Sequence, residues 1–309
     1  MDFYNMDVIS AKQFNREDIE ELIRLAKTIE KDKANYAQLL QGKVMATLFF
    51  EPSTRTRLSF ESAMLHLGGR VLGFSEAGTS SVKKGETLAD TIRTVANYAD
   101  TIVIRHKKEG AAKLAQEFSE IPIINAGNGS QEHPTQALLD MLTIQDLKGT
   151  LDNLKVGLIG DLKYGRTVHS LAHLFSKFNS ELYFISPEQL KMQYRVIDSL
   201  KLKKVQFTET SNFKEALSKL DVIYMTRIQK ERFADLEEYD KVKDMFILTH
   251  DDLKRIKKDA IILHPLPRVN EIDPKIDKDP RAQYFKQTYY GLMMRKAILA
   301  SILLKNPLD

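Results

Sequence analysis

The chain has 309 residues, 43% of them hydrophobic and 28% charged, no cysteine, and 46 basic against 42 acidic side chains for a net charge of +4. That is a globular composition with room for two ordinary domains; it excludes a disordered or fibrous chain, a disulfide framework, a zinc–thiolate site and a cysteine nucleophile. The small basic excess is scattered and no stretch has the length and apolarity of a membrane span, so neither nucleic acid nor membrane is an expected partner, and without a leader-like N-terminus the expected location is cytoplasmic.

Asn15 with Asp18 three residues on marks a helix start, and Ile19, Leu22, Ile23, Ala26 and Ile29 give that helix one apolar face. Residues 44–50 are a nearly unbroken apolar run, the pattern of a parallel strand buried on both faces. Pro52 ends it, and Phe60, Ala63, Met64 and Leu67 then recur at helical spacing up to Gly68-Gly69. The cluster Ser53-Thr54-Arg55-Thr56-Arg57 therefore opens a helix. Unpaired N–H groups and the positive end of the helix dipole favour an anion there, and an arginine fork can take two phosphate oxygens. A plain Ser/Thr cap with solvated arginines is the competing reading.

A strand at 71–74 leads into a long polar loop, 75–86, of the kind that carries function. A helix from about Thr87, with Leu88, Ile92, Val95 and Ala99, precedes a strand at 101–104 whose carboxyl end delivers Arg105 and His106. A helix through Leu114 and Phe118, a strand at 121–124 and a glycine-rich loop at 125–129 follow. His133-Pro134-Thr135-Gln136 then opens a helix running to about Gly149, proline being favoured in a first turn.

The alternation resumes with a strand at 156–159, the segment Gly160 to Thr167, and a helix holding Val168, Leu171, Ala172 and Phe175. Strands are expected at 182–185, 205–207, 222–225 and 261–263, and a last helix at about 290–304. The fold class is α/β: two doubly wound domains, each a mostly parallel sheet flanked by helices. Ligands of such sheets bind outside the carboxyl ends of the strands, where Ser53, Arg105, His133, Arg166, Arg227 and His264 all fall.

No Ser-His-Asp arrangement, metal-ligand spacing or paired-carboxylate motif is evident, so neither a metal nor a cofactor is expected. The polar inventory is cationic and donor-rich, suited to a substrate with several negative oxygens, such as a carbamoyl or acyl phosphate. Gly160 to Thr167 reads G-x-x-x-x-G-R-T, one residue away from the phosphate loop of nucleotide hydrolases, but an arginine fork does not replace the lysine of that loop.

The motifs Phe-Phe-Glu-Pro-Ser-Thr-Arg-Thr-Arg at 49–57, Lys-Lys-Gly-Glu-Thr-Leu-Ala-Asp at 83–90, His-Pro-Thr-Gln at 133–136, Gly-Asp-Leu-Lys-Tyr-Gly-Arg-Thr-Val-His-Ser at 160–170 and His-Pro-Leu-Pro-Arg at 264–268 make the chain resemble the catalytic chains of aspartate carbamoyltransferases over essentially its whole length. The resemblance implies a carbamoyl phosphate-binding domain at 1–135 completed by a C-terminal helix at 286–309, a connecting helix at 136–149 and an aspartate-binding domain at 150–285. It implies that Ser53, Thr54, Arg55 and Thr56 hold the phosphate, that Thr56, Arg105 and His133 point at the carbonyl oxygen, and that Gln136 meets the carbamoyl NH₂. Ser80 and Lys84 would come from the neighbouring subunit of a homotrimer with shared sites; Lys84, Arg166, Arg227 and Gln229 would meet aspartate, and the backbone at Pro265 and Leu266 would contact both substrates, aspartate included. Whether regulatory chains join the trimers is left open.

Arg57 is read as an internal ion-pair partner and Lys83 as a solvated neighbour of Lys84; His66, His106, His169, His173 and His250 are read as surface or packing residues. Ornithine carbamoyltransferases share two of these motifs but place a cysteine in the motif corresponding to His264-Pro265-Leu266-Pro267, whereas this chain has no cysteine, and Arg166 with Arg227 suits a dicarboxylate better than a diamino acid. A silent relative that only senses carbamoyl phosphate is the reading of a different class.

Overall fold

The computed structural model describes residues 2–75, 85–230, 233 and 235–308. The chain divides into two compact units, Met1–Leu142 with Tyr289–Asp309, and Thr143–Thr288.

Unit 1 contains α1 (Arg16–Lys31), β1 (Val44–Phe49), α2 (Thr54–His66), β2 (Arg70–Phe74), α3 (Leu88–Ala96), β3 (Thr101–His106), α4 (Ala111–Glu117), β4 (Ile123–Asn128) and the start of α5 (Pro134–Lys148). Its sheet is parallel throughout, in the order β2-β1-β3-β4. The order reverses between β1 and β3, where two neighbouring strands send their chains to opposite sides and open a crevice. The α1 start is a reciprocal cap: Asp18 N–H donates to the Asn15 side chain at 2.8 Å and Asn15 N–H to the Asp18 carboxylate at 2.9 Å. Ala46, Leu48, Phe50, Ile92, Ile102, Ile104, Ala112 and Ile123 make one core cluster.

Unit 2 contains β5 (Lys155–Ile159), α6 (Arg166–Phe175), β6 (Glu181–Ile185), α7 (Tyr194–Leu202), β7 (Phe207–Thr210), α8 (Phe213–Ala216), β8 (Val222–Met225), α9 (Leu236–Val242) and β9 (Ile261–Leu263). Its sheet is also parallel, in the order β7-β6-β5-β8-β9, and reverses between β5 and β8. The last helix, α10 (Lys286–Leu303), returns to unit 1. There Arg295 lies over the Phe60 ring at 5.0 Å and donates to Ser59 Oγ at 2.9 Å, and Lys296 pairs with Glu30 at 3.2 Å.

Three expectations need correction. The strand expected at 121–124 is β4, running on through Asn125, Ala126, Gly127 and Asn128, which the sequence presents as a loop. Asn125 can stay in a buried strand because its side chain donates to Ile9 O at 2.8 Å and accepts from Gly127 N–H at 2.9 Å. The strand expected at 205–207 is β7, two residues later; it is an edge strand with half its residues exposed, so no apolar run marks it. The helix α10 begins at Lys286, four residues before the first periodic residue, Tyr290.

Candidate active site

In unit 1, β1 and β3 pair so that Phe49 lies opposite Arg105, and Phe50 N–H donates to Arg105 O at 2.8 Å. This register puts the start of α2 and the end of β3 side by side at the reversal of the sheet. Ser53 occupies the cap position of α2 with extended backbone (φ −159°, ψ 107°), yet its hydroxyl makes no capping hydrogen bond. The plain-cap reading thus fails for Ser53. Thr54, Arg55 and Thr56 form the first turn, Thr56 only 7% exposed. Arg57 points away into an ion pair with Glu61 at 2.6 Å, and Glu61 also accepts from the Thr47 hydroxyl at 3.1 Å, the internal role expected of Arg57.

Arg105 is fixed by Glu51, whose Oε1 accepts from Nη2 at 2.9 Å, while Nη1 reaches Ala126 O at 3.4 Å. Glu51 was not singled out from the sequence, although it sits inside the 49–57 motif. The neighbouring His106 packs on Phe50 with ring centroids 5.1 Å apart, and its Nδ1 accepts from Lys108 N–H at 2.9 Å. Burial first, then Lys108 and Lys107, hold the His106 imidazole below its usual pKa, in keeping with a packing residue.

His133 immediately precedes α5, is 3% exposed, and has Nδ1 3.5 Å from the Thr135 hydroxyl. Its neighbour Glu132 anchors this corner, accepting from Ser10 Oγ and Ala11 N–H at 2.7 Å each. Gln136 donates through Nε2 to Asp140 Oδ1 at 3.0 Å. With its donor end committed, the amide presents its carbonyl oxygen as an acceptor, the group a carbamoyl NH₂ requires.

In unit 2, the register of β5 with β8 sets Ile159 opposite Met225. Thr226 then donates to Ile159 O through both N–H and Oγ1 at 2.8 Å. This close approach requires Gly160: at φ +113° a Cβ there would lie 2.4 Å from Thr226 O. Asp161 follows, fully buried; Tyr164 N–H donates to Oδ1 at 2.9 Å and Gln229 Nε2 reaches Oδ2 at 3.5 Å. Burial pushes the Asp161 carboxyl up to about 6, against those hydrogen bonds. Asp161 thus ties the loop that delivers Arg166, first residue of α6, to the segment carrying Arg227 and Gln229 after β8. It too escaped sequence reading. Pro265 and Leu266 leave the end of β9, next to β8.

In unit 1, Ser53 to Thr56 and Arg105 lie at the ends of the strands flanking the reversal, β1 and β3, and His133 and Gln136 follow the edge strand β4; in unit 2, Arg166, Arg227 and Gln229 follow β5 and β8, and Pro265 and Leu266 follow the edge strand β9. Ser80 and Lys84, with Lys83, lie outside the described residues. Among the described residues no helix is long and apolar enough to cross a membrane.

Residues 6–146 match the family described as aspartate/ornithine carbamoyltransferase, carbamoyl-P binding domain, and residues 152–302 its Asp/Orn binding domain. The chain belongs to the aspartate/ornithine carbamoyltransferase family. A carbamoyltransferase of Thermococcus kodakarensis, an aspartate carbamoyltransferase catalytic subunit, is 54% identical over 301 residues, 97% of both chains. Among solved carbamoyltransferases, the Trypanosoma cruzi aspartate transcarbamoylase in complex with carbamoyl phosphate and aspartate is similar with a TM-score of 0.92 at 42% identity, over 98% of each chain. The catalytic subunit of M. jannaschii aspartate transcarbamoylase gives 0.87 at 48% identity, over 98% of this chain and 97% of that one.

Proposed function

We propose that the chain transfers the carbamoyl group of carbamoyl phosphate to the amino group of L-aspartate, giving N-carbamoyl-L-aspartate and phosphate, a step of pyrimidine biosynthesis. What carries the reading is the position of the cationic residues. Arg55 follows β1 and Arg105 lies at the end of the β3 register, Arg166 and Arg227 follow β5 and β8, and each pair of strands flanks the reversal of its sheet. Unit 1 takes carbamoyl phosphate, with Ser53, Thr54, Arg55 and Thr56 around the phosphate. Unit 2 takes aspartate, with Arg166, Arg227 and Gln229 for its two carboxylates and the backbone at Pro265 and Leu266 for its amine.

Carbamoyl phosphate has a good leaving group, so orientation of the two reactants supplies about 7–11 kcal/mol of the barrier. The neutral amine attacks the carbonyl carbon and the new C–N bond forms. Thr56, Arg105 and His133 hold the tetrahedral oxyanion, while the acceptor end of Gln136 fixes the carbamoyl NH₂. The C–O bond then breaks toward Arg55, and the departing phosphate takes the amine proton.

The working form is a cytoplasmic homotrimer in which Ser80 and Lys84 serve a neighbour's site. Leu58 and Leu65, seven residues apart on α2 and 57% and 60% exposed, support a subunit contact along that helix. The relatives' designation as a catalytic subunit supports a place in a larger assembly. Incubation with carbamoyl phosphate and either aspartate or ornithine tests the function: N-carbamoyl-aspartate is expected, and carbamoylation of ornithine alone would overturn it.

A further inference from the structure

The chain leaves β9 through His264, Pro265 and Leu266, and Leu266 has φ 55°, a left-handed conformation that leucine seldom adopts. Two buried side chains brace this turn. Leu266 N–H donates to His264 Nδ1 at 2.7 Å, and His264 Nε2 lies 2.6 Å from Glu271 Oε1. A backbone N–H can only donate, so Nδ1 is the acceptor and the imidazole proton sits on Nε2, where it is given to the carboxylate. The second carboxylate oxygen accepts from the N–H groups of Val269 and Asn270, at 3.1 Å each. His264 N–H in turn donates to Gln287 Oε1 at 2.9 Å.

His264 and Glu271 are 2% and 4% exposed, and both ring nitrogens of His264 are already engaged, one by Leu266 N–H and one by Glu271. Burial pushes the Glu271 carboxyl up, but His264 and the backbone N–H groups of Glu271 itself and Val269 outweigh it and keep it below the usual carboxylate range. The pair thus closes both ends of the loop 265–270 on one imidazole and holds a disfavoured conformation at Leu266.

We propose that His264 and Glu271 are positioning residues, whose shared hydrogen bond fixes the Leu266 backbone so that its carbonyl accepts from the amino group of aspartate. The proposal rests on the reading that the backbone at 265–266 meets that substrate. It separates two kinds of recognition. A carbonyl can only accept, and the donor on aspartate is its amine; the carboxylates belong to the arginines. Loosening the turn should therefore impair handling of the amine and spare binding of a dicarboxylate that has none.

The test uses the full-length protein with His264→Gln and His264→Asn, aspartate as substrate and succinate as the amine-free competitor. The Asn side-chain oxygen falls near Nδ1 and keeps the acceptor for Leu266; the longer Gln reaches the Nε2 position and keeps Glu271 but drops Leu266. Each variant breaks one link of the brace, so the expected result is a loss of about tenfold or more in kcat/KM for aspartate in both, with a succinate inhibition constant within about twofold of wild type. Unchanged succinate inhibition also shows that unit 2 is folded. Equal losses for aspartate and succinate, or a lowered Tm with unchanged kinetics, would overturn the proposal. A wild-type protein that forms no N-carbamoyl-aspartate would overturn both it and the functional reading.

Discussion

Arg105 and Glu51 form an ion pair at 2.9 Å across the ends of two neighbouring parallel strands, with both side chains largely sheltered from solvent. The carboxylate sets the direction of the guanidinium before any substrate arrives, so removing it should misdirect a donor without deleting it. Glu51→Gln should lower kcat by about tenfold, and Arg105→Ala by at least about 10²-fold, the scale for losing a transition-state donor. Steady-state kinetics at saturating carbamoyl phosphate checks this; a Glu51→Gln variant as slow as Arg105→Ala would make the carboxylate a direct participant.

Arg55 and Arg57 lie two residues apart on α2 and should respond oppositely. Arg55→Ala should cost at least about 10²-fold in kcat with little change in Tm. Arg57→Ala breaks the partly exposed pair with Glu61 and should cost about 1 kcal/mol of stability with activity retained. Thermal unfolding and kinetics on the same preparations separate the two; loss of activity in Arg57→Ala at unchanged KM would return that residue to the chemistry.

Asp161 gives a pH signature. Burial raises its carboxyl from 3.8 to about 6, so the folded chain holds a proton that the unfolded chain has lost between those values. The stabilisation from that proton is complete below about pH 4 and disappears as pH rises to about 6; its ceiling is about 3 kcal/mol. Asp161→Asn carries no such titration. Its Tm relative to wild type should therefore climb by a few degrees between pH 4.5 and 7 and level off beyond. A flat difference would mean that the folded carboxyl ionises at its ordinary pH.

Arg295 is wholly enclosed; burial pushes its guanidinium down to about 10, and Asp140 is the charge that opposes the push. Removing one member of a buried pair leaves the other charge stranded, so Arg295→Met should cost about 3–5 kcal/mol. Because Asp140 also holds Gln136, the same change should raise KM for carbamoyl phosphate. Urea unfolding and initial rates test both halves, and a stability loss below 1 kcal/mol would show that Phe60 and Ser59, not charge, hold α10.

The shared-site reading predicts that inactive Arg55→Ala and Lys84→Ala chains regain partial activity when mixed, since mixed trimers contain some sites with neither lesion. Absence of recovery after subunit exchange, demonstrated by tagged chains, would confine the site to one chain.

What could be read from the sequence was whatever is encoded locally. The run at 44–50 followed by Ser53 to Thr56 needs only strand periodicity, Pro52 and helix spacing, and the Asn15–Asp18 cap lies within one turn. Pairings across the fold left no such mark. Glu51 and Arg105 meet only through the β1–β3 register, and Asp161 and Gln229 only through β5 beside β8. Asn125 and Asn128 looked like loop residues because a satisfied amide in a strand has the same composition as one in a turn. Arg295 and Lys296, both nearly buried, were not singled out, because nothing local distinguishes them from the charged side chains that helices usually expose.

Unit 1 is completed by Tyr289–Asp309, so its final helix leaves the ribosome only after the whole of Thr143–Thr288 has been made. During synthesis the second unit is complete before the first, and the neighbourhood of Phe60 waits for Arg295 and its helix. A nonsense codon near the end of the reading frame would thus strike the half of the enzyme encoded at its beginning. A tag or fusion is better carried beyond Leu303, where α10 has already ended.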